Sequence, residues 1–160
     1  MQATVQLFKT ALYNEVKSAA FYNRASEITG NDESRMLFLE LSGMEEDHVR
    51  HLINKTKSTP WPQEFSPETH VKELESSVES IISKEESKIL QDGDMKAILK
   101  LAIGMEKEAL QIYLELAEKT ATQEVKDYSL ELSKEEQQHL NSLTTLLTSL
   151  DMDEEERPSL

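Results

Sequence analysis

Apolar residues recur at alternating three- and four-residue steps along four segments of the chain, which is the period of an amphipathic α-helix. The stripe of the first segment consists of Val5, Phe8, Leu12, Glu15, Ala19 and Tyr22. The stripes of the other three consist of Phe38, Leu41, Glu45, His48 and Leu52; of Leu99, Ile103, Glu106, Leu110 and Tyr113; and of Leu132, Glu136, His139, Leu143 and Leu146. The pattern predicts four long helices that pack against one another through these stripes.

Helix end signals separate the first two stripes. The first helix is predicted over about 4–29, ended by Gly30 as the residue beyond its C-cap. Asn31 or Asp32 then caps a second helix. That helix runs to about Lys57 and stops before a segment with two prolines, because proline lacks the backbone donor and disfavours helix in the residue before it. The short turn makes the two helices antiparallel neighbours.

A long connection follows, and one further helix is predicted inside it. Ser66 is the expected cap of this helix, and Pro67 is its expected first residue. Its apolar face consists of Val71, Leu74, Val78, Ile81 and Ile82. The chain breaks again at Gly93, after which the third long helix is predicted over about 94–119 and the last over about 123–150.

The predicted order of elements is helix, short turn, helix, long connection, helix, short turn, helix. One long crossover in a four-helix bundle is the ferritin-like topology, so the fold class is predicted to be all-α, a ferritin-like bundle with an extra helix in the crossover. Residues 1–150 fit one domain. The acidic segment 151–160, which contains Pro158, is predicted to be disordered.

The composition favours helices and excludes several kinds of function. Gly and Pro number only four each in 160 residues, which disfavours a strand-rich fold. The net charge of −14 would repel a phosphate backbone, so nucleic acid is not expected as a partner. The absence of cysteine excludes disulfides, zinc knuckles and cysteine-held iron–sulfur centres within this sequence. No stretch approaches the roughly 20 apolar residues of a membrane helix and no apolar leader is present, so a cytoplasmic protein without a membrane partner is expected.

A pattern of carboxylate and imidazole residues occurs twice. Each copy has one lone Glu and, thirty residues later, a Glu-x-x-His: Glu15 with Glu45 and His48, and Glu106 with Glu136 and His139. Flanking residues repeat at the same offset, since the Leu-Glu-Leu-Ser of 39–42 recurs at 130–133, and Tyr22 recurs as Tyr113. One Glu-x-x-His would carry little weight in so acidic a chain. Two copies in one register indicate a duplicated helical hairpin.

Each of these six residues replaces an apolar residue near the middle of a predicted core stripe. Ionised carboxylates in a low-dielectric core are costly unless they are paired or bind a cation, and four together repel one another. No lysine or arginine occupies the stripes, whereas two divalent ions would balance four carboxylates. Six oxygen and nitrogen ligands suit iron or manganese, and zinc could occupy the site without redox chemistry. A water-filled polar layer or buried protonated carboxylates are the alternative.

The Glu-x-x-His spacing matches the general pattern of di-iron carboxylate bundles. The set of six resembles the ligands of the ferritin-like di-iron carboxylate superfamily, and the segments 14–22, 45–48 and 105–113 are most similar to its rubrerythrin-related branch. The resemblance implies a cofactor of two iron ions, with Glu45 and Glu136 as bridging ligands. It also implies four terminal ligands: Glu15, His48, Glu106 and His139.

Two departures from rubrerythrins proper bear on the function. Those proteins carry a cysteine-ligated rubredoxin module that passes electrons to the metals, and this sequence has no cysteine, so an external electron donor is expected. They also carry an additional glutamate one turn after the ligand of the third long helix, where this sequence has Ala109. The peroxidase mechanism of rubrerythrins therefore does not carry over intact, and the set of six is closer to that of bacterioferritin.

Two tyrosines and a further histidine lie near the predicted ligands. Tyr22 and Tyr113, two turns beyond the lone glutamates, either donate hydrogen bonds to ligand carboxylates or simply pack in the core. His51 lies one turn past His48, but the matching position of the second half is Ser142. We therefore do not expect His51 to be a ligand.

Together these observations predict a di-iron oxidoreductase that reduces hydrogen peroxide or dioxygen with electrons from Fe(II). An iron-handling or storage protein with ferroxidase activity is the alternative, and storage would need a closed shell of many subunits. A helical interaction module with a vestigial site is disfavoured, because all six ligand positions are filled. By family resemblance the chain is expected to form a homo-oligomer, most simply a dimer.

Overall fold

The computed structural model describes residues 2–156, with side chains over 4–152. Within that range the chain forms seven helices: α1 (Gln2–Ile28), α2 (Asp32–Lys55), α3 (Pro67–Ser76), α4 (Val78–Ile81), α5 (Lys84–Asp92), α6 (Met95–Lys119) and α7 (Gln123–Glu156). The long helices α1, α2, α6 and α7 form the bundle, and the three short ones lie in the crossover. The predicted all-α, ferritin-like bundle is confirmed.

The bundle consists of two helical hairpins. α1 packs along α2, α6 packs along α7, and the hairpins meet chiefly through α1 and α6, while α2 and α7 approach each other less closely. Two apolar clusters fill the interior on either side of the midlength of the long helices. One contains Phe8, Leu12 and Leu116, and the other contains Phe38 and Leu99. A central layer of the bundle therefore lies between two apolar regions.

The first hairpin turn differs in detail from the prediction. Gly30 does not have the positive φ expected of a glycine beyond a C-cap, and among the described residues only Gly93 has one. The Thr29 hydroxyl instead donates to the Ala25 carbonyl at 2.6 Å, at the end of α1. The side chain of Asn31 accepts from a backbone N–H of α2 and caps it. A hydroxyl and an N-cap thus complete this turn without a left-handed glycine.

The extra helix predicted in the crossover is present, but it is shorter than its apolar face suggests, and two further short helices follow it. Its start is as predicted, since the Ser66 side chain caps α3 and Pro67 is the first helical residue. The chain then leaves the helix at Ser77 and again before α5. There Ser83 and Glu86 form a reciprocal capping box, with bonds of 3.0 and 2.9 Å. Serine hydroxyls that bond nearby backbone groups compete with a continuous helix, which the apolar periodicity does not register.

The last helix is longer than predicted. α7 runs to Glu156, past the expected end at Leu150, because glutamate is a good helix former and no glycine or proline occurs before Pro158. The rest of the segment predicted to be disordered, 157–160, lies outside the described residues. Over the described part of the chain, no helix combines the length and the apolarity needed to cross a lipid bilayer.

Candidate metal centre

Six side chains from the four long helices meet at the midlength of the bundle. α1 and α6 each supply one glutamate, while α2 and α7 each supply a glutamate and a histidine one turn apart. Each side chain is buried, with 5% or less of its residue surface exposed. The set is Glu15, Glu45, His48, Glu106, Glu136 and His139. The structure thus brings together all six residues singled out in the sequence.

The six residues form two overlapping groups that share two glutamates. One group is Glu15, Glu45, His48 and Glu136; the other is Glu45, Glu106, Glu136 and His139. Within each group, one potential ligand atom per residue lies within 4.8 Å of all the others. Each group offers three carboxylates and one imidazole. The arrangement fits two cations held side by side between a shared pair of carboxylates.

Both histidines turn their Nδ1 atoms toward the carboxylates. His48 Nδ1 lies 2.8 Å from Glu136 Oε1 and 3.3 Å from Glu15 Oε2. His139 Nδ1 lies 3.0 Å from Glu45 Oε1. The two rings are nearly parallel, with centroids 5.6 Å apart and 9° between their planes. Each Nε2 atom consequently faces away from the centre of the cluster.

Tyr22 and Tyr113 connect the two hairpins through the cluster. The Tyr22 hydroxyl on α1 donates to Glu106 Oε1 on α6 at 2.5 Å. The Tyr113 hydroxyl on α6 donates to Glu15 Oε1 on α1, also at 2.5 Å. Both tyrosines are fully enclosed in the core. Each lone glutamate is therefore oriented by the tyrosine of the other hairpin, a pairing that the sequence repeat alone does not specify.

Burial and mutual repulsion set the charges of the cluster side chains. Burial, together with the neighbouring carboxylates, raises the pKa of Glu45 and of Glu136 well above the usual range. Burial also disfavours ionised Glu15, yet its contacts with Glu45, His48 and a tyrosine lower its pKa to about 2. Burial disfavours the imidazolium form, but the carboxylates raise the pKa of His139 to about 12 and also raise that of His48. When no cation is considered, the protons bound to these side chains offset the negative charge of the carboxylates.

Three buried carboxylate oxygens of the cluster have no hydrogen-bond partner among the described residues. They are Glu106 Oε2 and both oxygens of Glu136. Glu136 Oε1 is close to His48 Nδ1, but the orientation makes no hydrogen bond. Buried anionic oxygens without partners are strongly unfavourable, whereas such hard oxygens are the ligands that iron and manganese accept. The residues present therefore fit a bound metal.

A cleft of about 230 Å³ reaches both histidines from the side where α2 faces α7. Its walls consist of Met44, Asp47, His48, His51, Glu135, Gln138 and His139. Two contacts between these wall residues were not predicted from the sequence. Glu135 Oε2 lies 2.6 Å from His48 Nε2, and Met44 Sδ lies 3.2 Å from His139 Nε2. The signal in the sequence that could have indicated Glu135 and Met44 is their position, because each directly precedes the Glu of a Glu-x-x-His. His51 lines the cleft but belongs to neither ligand group.

Comparison with known protein families gives a match for the second hairpin. Residues 97–159 match the family model described as Rubrerythrin. The match spans most of α6 and continues through α7, and so includes Glu106, Glu136 and His139. Comparison with curated proteins and with solved structures gives no significant match. The family match and the buried cluster agree on a metal-binding carboxylate bundle.

Proposed function

We propose that this chain, which belongs to the ferritin-like di-iron carboxylate superfamily, uses its central cluster to bind two iron ions and to reduce hydrogen peroxide or dioxygen. The observation that carries the proposal is the pair of buried ligand groups sharing Glu45 and Glu136. A pair of adjacent metal ions can share the electron demand of a two-oxygen substrate. The match of the second hairpin to the Rubrerythrin model supports the same assignment.

The ligand roles follow from membership of the two groups. Glu45 and Glu136 belong to both groups and would bridge the ions. The terminal ligands are one carboxylate and one imidazole for each ion: Glu15 with His48, and Glu106 with His139. Four ionised carboxylates and two neutral imidazoles balance two divalent charges, so the buried layer is neutral when loaded. Manganese suits the same donors.

Bound iron would supply electrons by passing from the ferrous to the ferric state. The part played by the protein is to hold the donors and to control access to them. Tyr22 and Tyr113 keep the lone glutamates in one orientation through short hydrogen bonds. The apolar clusters on both sides of the layer exclude bulk water. The cleft between α2 and α7 gives a small oxidant access to the histidine side of the cluster.

Once the bound iron has been oxidised, electrons from outside the cluster must reduce it again. The sequence has no cysteine, so no cysteine-ligated iron centre within it can pass electrons on, and we propose an external donor. Ala109 offers no carboxylate one turn after Glu106. The ligand set is therefore fixed at six residues, without the ligand exchange that an additional glutamate would allow.

Metal content and reactivity test the proposal directly. The chain loaded with Fe(II) in the absence of oxygen is expected to bind two ions. Ferric absorption should then develop at a rate that depends on the concentration of added hydrogen peroxide or dioxygen, and comparison of the two oxidants identifies the substrate. Native protein that contains neither iron nor manganese, and binds neither when supplied, contradicts the proposal.

Ligand substitutions test which residues hold the metal. Glu45→Ala or His139→Ala is expected to lower the iron content from two ions toward one or none. Glu46→Ala removes an exposed carboxylate next to the site and is the matched control, which should retain both ions. A Glu45→Ala, His139→Ala double variant that keeps two tightly bound irons would rule out the assigned cluster.

A second candidate function is the oxidation of Fe(II) as a substrate for iron storage, with the same cluster as a ferroxidase centre. The net charge of −14 favours it, because a negative field attracts cations. Storage requires a closed shell of many subunits, whereas we propose a cytoplasmic homodimer. Size-exclusion chromatography separates the two, since a cage elutes far earlier than a dimer.

A further inference from the structure

The two halves of the cluster place different residues behind their histidines. His48 Nε2 lies 2.6 Å from Glu135 Oε2, and His139 Nε2 lies 3.2 Å from Met44 Sδ. Glu135 and Met44 occupy the same position of the sequence repeat, directly before the shared glutamate of their own helix. Each supports the histidine of the opposite helix, across the gap between α2 and α7. The repeat is therefore broken at the one position that contacts the outer nitrogen of each histidine.

A carboxylate and a thioether act differently on a metal-binding imidazole. A neutral histidine that binds a cation through Nδ1 carries its proton on Nε2 and donates it outward. A carboxylate acceptor makes a charge-assisted hydrogen bond, holds the ring in one orientation and increases its basicity as a ligand. The sulfur of methionine is only a weak acceptor. His48 thus has a strong outer partner, and His139 has a weak one.

The rest of the two donor sets is matched, which isolates this difference. Both positions share the two bridging glutamates, and each adds one lone glutamate held by a tyrosine at 2.5 Å. Outer hydrogen-bond partners of ligand histidines typically change metal affinity by about 10- to 100-fold. The Glu135 side chain is 46% exposed, so solvent screens its charge. The lower end of that range, about tenfold, is therefore expected.

We propose that the two metal positions are unequal, with Glu135 as a positioning residue that makes the His48 position the tighter one and Met44 leaving the His139 position weaker. The inference rests on the proposed di-metal function. Ions then bind in order, first with Glu15 and His48 and second with Glu106 and His139. At limiting metal the chain holds one ion in its cluster. Occupation of the weaker position, which a two-metal reaction requires, then depends on metal supply.

Titration of the full metal-free chain with Co²⁺, which undergoes no redox step under these conditions, measures both affinities by calorimetry. The wild-type chain should bind two ions in two steps whose dissociation constants differ by about tenfold. Glu135→Gln should weaken the first step about tenfold and merge the steps. Met44→Glu should merge them by strengthening the second. Glu131→Gln, which removes an exposed carboxylate one turn earlier on α7, is the matched control and should leave both steps unchanged.

Crystals grown with one equivalent of Co²⁺ identify the position that fills first. Anomalous density should lie with His48 in the wild-type chain and with His139 in a Met44→Glu, Glu135→Met double variant, which exchanges the two outer partners. A purely structural role for Glu135 would lower the melting temperature without reversing this order. Two equal steps in the wild-type chain, or unequal steps that Glu135→Gln leaves unaltered, overturn the inequivalence while the metal centre stands. Binding of fewer than two ions at saturation overturns the metal centre and this proposal with it.

Discussion

Glu136 has no exposed surface, and neither of its carboxylate oxygens makes a hydrogen bond within the described residues. A carboxyl group in that position stays neutral or pairs with a cation, because burial alone makes the anion unfavourable. The raised pKa values of Glu136 and Glu45 correspond to the first of these cases, the neutral carboxyl group. Divalent ions would displace these protons and those on His48 and His139. Protons and metal would therefore compete for the same side chains.

This competition predicts how the stability of the metal-free protein depends on pH. The pKa of His139 is raised from 6.5 to about 12, and that of His48 is raised as well. Their contribution to stability is full below about pH 6.5 and is lost as the pH rises through the folded-state pKa. Glu45 and Glu136, whose pKa values are also raised, add a loss that begins above about pH 4.5. Each retained proton contributes a slope of at most about 1.4 kcal/mol per pH unit.

The free energy of unfolding of the metal-free chain should therefore fall as the pH rises from 6.5 to 9. Glu15 acts with the opposite sign, since its pKa is lowered to about 2 and its contribution is lost only as the pH falls from about 4.5 toward 2. Urea unfolding at a series of pH values measures the slope. Protein loaded with metal is the reference and should show a smaller slope, because the ions have already displaced the protons. A metal-free chain that becomes more stable between pH 6.5 and 9 would contradict the assigned protonation.

The tyrosine hydroxyls give a second prediction at the residue scale. Tyr22→Phe removes the donor to Glu106, and Tyr113→Phe removes the donor to Glu15. Each change should weaken Co²⁺ binding at one position by about tenfold or more, because the carboxylate loses the partner that orients it. Tyr128→Phe is the matched control, since the Tyr128 hydroxyl is buried without a hydrogen-bond partner in the described part of the chain. Unchanged affinity in both test variants would reduce the tyrosines to core packing.

At the scale of helices, the two pairs that cross the bundle have different tasks. α1 and α6 pack closely and exchange tyrosine-to-glutamate hydrogen bonds, so this side of the cluster is closed. α2 and α7 lie further apart, and their histidines face a cleft that opens to solvent. The Glu-x-x-His of each helix thus places a glutamate and a histidine in the cluster from one helix face, and it also directs one edge of the imidazole toward the opening. Access to the cluster is therefore expected between α2 and α7.

Replacing a glycine by alanine is expected to change stability in opposite directions in the crossover connection and in the bundle. Gly93 joins α5 to α6 with φ of 71°, a conformation that residues with a Cβ adopt at a cost of about 1–2 kcal/mol. Gly93→Ala should therefore lower the free energy of unfolding by about that amount. Gly104 lies on an exposed face of α6 where an added Cβ meets nothing within 4 Å. Gly104→Ala should raise stability by up to about 1 kcal/mol, because alanine favours helix.

Both substitutions are measured by urea unfolding of the metal-free chain, with the wild type alongside. They add the same methyl group, so their opposite signs separate backbone conformation from side-chain volume. If Gly93→Ala leaves the free energy of unfolding unchanged, the junction between α5 and α6 relaxes without cost.

The long helices and the six-residue cluster could be predicted because both depend on local register. A glutamate on an apolar stripe, such as Glu15 or Glu106, points inward wherever the helix packs, so periodicity alone locates it. The break at Ser77 and the new start at Ser83 were missed, because hydroxyl-to-backbone bonds leave the apolar pattern unchanged. The contact of Glu135 with the opposite helix was missed for another reason. It depends on how far apart α2 and α7 lie, which no single helix specifies.

At the scale of the molecule, the charged layer divides the interior. One apolar cluster lies on each side, and the layer between them carries four glutamates and two histidines from all four long helices. A cation in either ligand group would contact three of the four long helices, and the two cations together would contact all four, so they would link both hairpins as well as both apolar clusters. The duplicated pattern makes this link symmetrical, since each hairpin contributes one lone glutamate and one Glu-x-x-His. Metal binding should accordingly stabilise the whole fold and not one hairpin.

Metal removal tests this coupling. A ligand that binds only the folded state at 1,000 times its dissociation constant adds about 4.1 kcal/mol of stability. A domain of this size gains roughly 2–4 °C in melting temperature per kcal/mol, so verified chelation should lower the melting temperature by about 10 °C. The shift should appear as a single cooperative transition by circular dichroism, because two bound ions would link all four long helices. A Glu45→Ala, Glu136→Ala variant lacks both shared glutamates and should melt at the same temperature with and without metal. If the wild-type chain also melts identically after its metal has been removed, the layer is held together by its protons alone.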